Sequence, residues 1–200
     1  MPLRRLESAF PTADVTIKVT GNQWYWTYQY PDNGDFEVVS NMLKEKSEVT
    51  GDARFRTEAD GPPLLAVDER LVIPAGKVVK FLVTSADVIH SFAIPAFWTK
   101  IDANPGSLNE TWVKVDRPGV YFGQCSELCG ARHGYMPIAV EVVDEATFNA
   151  WVASKGGTPK GAAPAAEAIP AAASTDAAPP SADPAAIEQP ALNQAATAQN

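Results

Sequence analysis

The sequence predicts an all-β domain, a Greek-key sandwich or barrel, closed by one C-terminal helix and followed by a disordered tail. Three observations carry this reading. Short runs of alternating or β-branched residues recur through residues 14–143, separated by Gly- and Pro-bearing turns, the pattern of many short strands. A single helical pattern stands out, and it comes last. The composition then changes abruptly near Gly156: residues 158–200 hold 17 Ala and 7 Pro and no aromatic residue. Such a segment cannot bury enough apolar surface to offset its ordering entropy. The chain therefore divides into a lead-in at 1–11, a folded domain at 12–156 and an Ala/Pro-rich tail at 157–200.

Taken in order, Asp14 to Thr20 alternates apolar and polar residues and predicts a strand. Gly21-Asn22 breaks it. Trp24 to Tyr30 holds five aromatics in seven residues, a second strand signal. Pro31 to Asp35 is a turn by composition, and Phe36 to Val39 a short strand. Asn41 to Glu48 admits a short helical turn, and Ala59 to Pro63 is a loop. The β signal returns at Leu71–Ile73, Val78–Thr84 and Ile89–Ile94. Ala103 to Gly106 reads as a loop. Thr111–Val115, Val120–Phe122 and Ile138–Val143 complete the strands. Asp144 is a helix N-cap, Phe148, Trp151 and Val152 recur at helical spacing, and Gly156-Gly157 ends the helix. No internal repeat is visible.

The net charge of −8 is uneven. The tail carries four acids against Lys160, so −3, which leaves −5 on the body. An acidic body argues against a nucleic-acid partner and suits a basic protein partner. The longest apolar runs fall far short of the roughly 20 residues that cross a bilayer.

The chemistry concentrates in Gln124–Met136. This stretch contains both cysteines of the chain, one of its two histidines and a methionine. Glycines at 123, 130 and 134 and Pro137 argue for a loop between strands rather than a helix. Thiolates, imidazole and thioether are soft donors that suit copper, then zinc. A disulfide between Cys125 and Cys129 is the competing use of the thiols. Cys129, His133 and Met136 supply three parts of a mononuclear copper site. His90, the other histidine, supplies a second imidazole if one exists. Cys125 is then surplus to one metal, and two thiolates with two imidazoles could bridge a pair.

The segment Cys125-Ser126-Glu127-Leu128-Cys129-Gly130-x-x-His133-x-x-Met136 resembles the CuA loop of subunit II of haem–copper cytochrome c oxidases. Three further stretches are similar to that family: the aromatic run Gly21-x-Gln23-Trp24-Tyr25-Trp26-x-Tyr28-x-Tyr30, Ala86 to Phe92 around His90, and Lys100-x-Asp102-Ala103-x-Pro105-Gly106-x-x-Asn109. The resemblance covers roughly residues 12–150, with its motifs in order. It implies a cupredoxin β-barrel that holds two copper ions. In that pattern Cys125 and Cys129 bridge the coppers, and His90 and His133 cap one each. Met136 is a weak ligand to one and the Glu127 carbonyl to the other. The Glu127 side chain matches a carboxylate that reaches magnesium at the subunit I interface.

The same resemblance implies that Trp24 receives electrons from cytochrome c. Tyr25, Asp68, Asp87 and Asp102 fall on the docking face. The implied activity is electron transfer onward to haem in subunit I, where oxygen is reduced. It also implies a transmembrane helical hairpin before residue 1, with this domain at the periplasmic face of a bacterial inner membrane or the equivalent intermembrane-space side. The fragment itself reads as soluble. Departures from the pattern include Asn22, Gln29, Ser107 and the pair Trp98-Thr99, none of which is a copper ligand. Competing readings are the copper domain of nitrous oxide reductase, a thioredoxin-fold copper chaperone and a structural zinc module.

Overall fold

A computed structural model of the chain describes residues 11–159. The expected tail beyond Pro159, and all but the last residue of the expected lead-in, lie outside the described residues. Two five-stranded sheets face one another. The first contains β1 (Val15–Asn22), β2 (Tyr25–Tyr30), β3 (Phe36–Ser40), β5 (Val78–Ser85) and β8 (Asn109–Lys114), in the order β3-β2-β1-β5-β8. The second contains β4 (Leu71–Pro74), β6 (His90–Ile94), β7 (Thr99–Ala103), β9 (Gly119–Cys125) and β10 (Pro137–Val143), in the order β4-β10-β9-β6-β7. Helix α1 (Glu145–Ser154) follows. Two neighbour pairs are parallel, β1 with β5 and β4 with β10; the others are antiparallel.

Alternation builds the core. Along β1, Val15, Ile17 and Val19 are buried while Thr16, Lys18 and Thr20 are half-exposed. Along β5, Val79, Phe81 and Val83 do the same. Each such apolar side chain contributes about 1.5–3 kcal/mol when fully buried. Rings from the two sheets meet at Phe92, whose centroid lies 5.6 Å from Trp26 and 5.4 Å from Phe81. Tyr30 donates its hydroxyl to the Val72 carbonyl at 2.9 Å and accepts from the Val72 amide at 3.1 Å, stitching one sheet to the other. The helix docks by Phe148 and Val152, with Trp151 against Tyr30 and Phe36.

Three expectations change. Thr99–Ala103 is a strand, β7, with no counterpart in the sequence reading. It is an edge strand whose exposed Lys100 and Asp102 disguise the alternation, and its pairing with β6 defines it. The helical turn expected within 41–48 is one short 3-10 turn, Lys46–Glu48. Ile89, the expected start of a strand, precedes β6 and is exposed.

The pairing of β6 with β9 positions the chemistry. It sets Phe92 opposite Cys125 and Ala93 opposite Gln124. Gly123 permits the approach, because a Cβ there would collide with the Ala93 carbonyl oxygen. The Ser126 amide then donates to the Ser91 carbonyl at 3.0 Å, so the first residue past β9 is still held beside His90.

Candidate metal centre

The centre forms where β6 begins and β9 ends. His90 is fully buried, with Trp26 5.9 Å away on one side. Its Nδ1 lies 3.9 Å from Cys125 Sγ. Cys125 Sγ lies 3.8 Å from Cys129 Sγ and 3.3 Å from the Glu127 carbonyl oxygen. Cys129 Sγ lies 3.5 Å from His133 Nδ1 and 3.5 Å from Met136 Sδ. The donor atoms of His90, Cys125 and Cys129 all fall within 4.8 Å of one another. Every residue expected at the metal is thus in one cluster.

The donors fit a metal. Two ligands at about 2.0–2.3 Å from one ion, near the tetrahedral angle, are about 3.3–3.8 Å apart. Most contacts in the cluster fall on that separation. The electrostatics agree. Burial opposes ionisation of Cys125, yet the hydrogen bond with His90 leads the groups that bring its thiol down to about 6. Burial, then the charge of Cys125, pushes Cys129 up to about 12. One thiolate forms readily and the second needs a neighbouring cation. Soft sulfur and imidazole donors select copper or zinc over hard cations.

Surrounding groups fix these side chains. Asp87 Oδ1 lies 2.8 Å from His90 Nε2, leaving Nδ1 turned toward the thiols. Such a carboxylate orients a ligating imidazole. The other Asp87 oxygen accepts from the Gln23 amide at 2.7 Å. Gln23 Nε2 and Trp24 Nε1 both donate to the Cys129 carbonyl, at 2.9 and 3.1 Å. Trp26 Nε1 donates to the Met136 carbonyl at 3.1 Å. The hairpin between β1 and β2 therefore grips both halves of the centre. Gly130, with φ of +114°, lets the loop pass under Trp24; a Cβ there would sit 3.0 Å from the indole.

The residues expected at a docking face divide. Trp24 and Tyr25 are half-buried and line a common cleft. Asp102 is exposed on β7, 3.5 Å from Lys100. Asp87 is exposed, with its carboxylate held by His90 and Gln23. Asp68 accepts from the Asn41 amide at 2.7 Å, which braces the connection between β3 and β4. Sequence reasoning missed Gln23, although it stands inside the quoted aromatic motif; its partners lie 64 and 106 residues away. It also missed Lys44 and Arg132, which line the cleft beside Trp24.

The family model for the periplasmic domain of cytochrome c oxidase subunit II matches residues 15–143. The chain belongs to this family. A probable cytochrome c oxidase subunit 2 of Rickettsia bellii is 53% identical over 76% of this chain and 53% of its own length. The crystal structure of the periplasmic domain of subunit II of cytochrome oxidase from Bradyrhizobium japonicum is 50% identical, with a TM-score of 0.65 over 74% of this chain and 96% of that one. A subunit II domain solved as a mixed disulfide with a thioredoxin-like protein is 49% identical, with a TM-score of 0.60 over 75% of this chain and 96% of that one. The chain spans about half the length of the curated relatives it matches. The fold is the cupredoxin-like barrel expected of a subunit II domain, and the β-sheet topology leaves no place for the thioredoxin-fold alternative. Among the described residues no helix is long and apolar enough to cross a membrane.

Proposed function

We propose that this chain is the electron-receiving domain of a haem–copper cytochrome c oxidase, and that its cluster holds two copper ions as a CuA centre. The carrying observation is the cluster itself: two thiols in contact, with two imidazoles, a thioether and the Glu127 carbonyl each against one of them. Bound there, two coppers would supply a one-electron couple spread over both ions. Cys125, Cys129, His90, His133, Met136 and the Glu127 carbonyl would hold them. The barrel keeps these groups dry and fixed. Cys125, Cys129 and Met136 are all at most 4% exposed, so little solvent reorganises as charge arrives.

Reduced cytochrome c docks over Trp24. The indole is hydrogen-bonded to the carbonyl of Cys129, so an electron on the ring is one hydrogen bond from a ligand residue. The loops after β5, β7 and β9 gather at the same end, where Val88, Ile89, Leu108 and Leu128 are exposed. Exposed apolar side chains of this kind suit a permanent partner. We assign it to subunit I, with the exposed Glu127 side chain available to a magnesium ion between subunits. In the full oxidase the domain lies on the periplasmic side, anchored by a helical hairpin. Before loading, a thioredoxin-like reductant acts on the cysteine pair, as in the mixed-disulfide relative.

Metal analysis tests the reading. Two coppers per chain and a mixed-valence EPR pattern are expected, and Cys125→Ser or Cys129→Ser abolishes that pattern. One zinc per chain, or an unchanged binuclear spectrum in either variant, overturns it.

A further inference from the structure

Gly21 and Trp26 face one another across the β1–β2 ladder. Neither side chain offers a lone pair to a metal, yet together they touch two of the metal-facing residues. Trp26 is fully buried. Its Nε1 donates to the Met136 carbonyl at 3.1 Å. Its ring stands edge-on to the His90 imidazole, with centroids 5.9 Å apart at 62°. Gly21 lies against the same imidazole: a Cβ there would be 2.8 Å from His90 Cδ2 and 2.9 Å from Cγ. The backbone of Gly21 is ordinary strand, so its demand for glycine is one of space alone. The Gly21 carbonyl accepts from the Ala86 amide at 3.0 Å, which ties the glycine to the segment that leads into His90.

We propose that the Gly21–Trp26 pair positions one ligand in each half of the centre, His90 beside Cys125 and Met136 beside Cys129, and thereby sets the reduction potential of the copper pair. The inference rests on the copper reading and adds to it two positioning residues. A buried indole N–H is a donor that needs an acceptor. Met136 stands one residue ahead of the first β9–β10 ladder pair, Gln124 with Pro137. The bond from Trp26 therefore holds the peptide just where the thioether side chain branches off. An axial thioether is a weak, long ligand that tunes the potential. Such a bond is too weak to pull its own side chain into place, so the backbone must place it. His90 is confined by Gly21, by Trp26 and by Asp87 at Nε2. Its ring plane is thus set before a metal arrives. Because one indole meets both residues, displacing it moves both together.

The test loads the full chain with copper and compares three variants with the natural chain. In the first, benzothienylalanine takes the place of Trp26 and exchanges the indole N–H for sulfur in a ring of the same shape. The others are Trp26→Phe and Gly21→Ala. Copper per chain, the EPR hyperfine pattern and the reduction potential are measured, with the urea midpoint of the metal-free chain as the gauge of folding. Deleting the N–H is expected to leave two coppers per chain and to change the oxidised-to-reduced ratio at a fixed applied potential by about threefold or more, the net worth of one hydrogen bond. Gly21→Ala is expected to alter the hyperfine pattern through His90. A role in packing alone would lower the urea midpoint and leave the potential and hyperfine pattern of the folded chains unchanged. That result in the benzothienyl and Gly21→Ala chains overturns the proposal, and those two decide if Trp26→Phe does not fold. Absence of a binuclear signal in the natural chain overturns the copper reading and this inference with it. A natural signal with indifferent variants overturns the positioning alone.

Discussion

At Gly130 one missing methyl group decides how Trp24 meets the centre. The residue combines a φ of +114° with an indole carbon 3.0 Å from where its Cβ would be. Gly130→Ala is therefore strained in two ways, by backbone and by contact. It should destabilise the domain by about 1–2 kcal/mol and push the indole off the Cys129 carbonyl. The measurement is the Trp24 indole N–H resonance of the metal-free chain; an unmoved resonance would mean that the contact is not selective. Gln23 shares this small space, since its Nε2 would be 3.1 Å from the same Cβ. None of this was legible in the sequence. The glycine reads there only as a turn residue, because the partner it makes room for is 106 positions upstream. The proposed ligands, by contrast, were legible for the opposite reason. Five of the six fall within Cys125–Met136, and counting histidines leaves only His90 for the sixth.

The secondary elements were visible wherever alternation was clean, as in β1 and β5, and invisible where it was not. β7 escaped because its outward residues are charged and, of its inward ones, Thr99, Ile101 and Ala103, only Ile101 is a large hydrophobic. Which strands pair was also beyond the sequence: nothing local says that β1 should lie parallel to β5. The 3-10 turns of the β3–β4 connection make a sharper case, because charge rather than packing holds them. In Glu58–Asp60, the Asp60 carboxylate accepts from the Thr57 hydroxyl at 2.6 Å and from its amide at 2.8 Å. Those bonds, with help from Arg54, hold its pKa at about 2 against the usual 3.8. The folded value lies below the unfolded one, so the stabilisation is complete above about pH 4 and fades as pH falls through 4 toward 2. Urea midpoints across this range should fall more steeply for the natural chain than for Asp60→Asn. Parallel curves would mean that the turn contributes nothing.

For the molecule as a whole, the metal centre and the core are one packing problem. Phe92 touches the rings of Trp26 and Phe81 and stands opposite Cys125. Phe92→Ala should cost about 3–5 kcal/mol, read as a lower urea midpoint for the metal-free chain, with an unchanged midpoint contradicting the packing described. The barrel also has a sequence in time. Its parallel pairs join Val15 to Val79 and Leu71 to Val140, so neither sheet is complete until distant parts of the chain have met. Contacts of such long range form slowly. Until β9 has paired with both β10 and β6, the two thiols have neither their walls nor His90 beside them. A chain maturing in an oxidising compartment thus has a period in which its cysteines race between each other and the metal. The interval is set by the order in which its strands close.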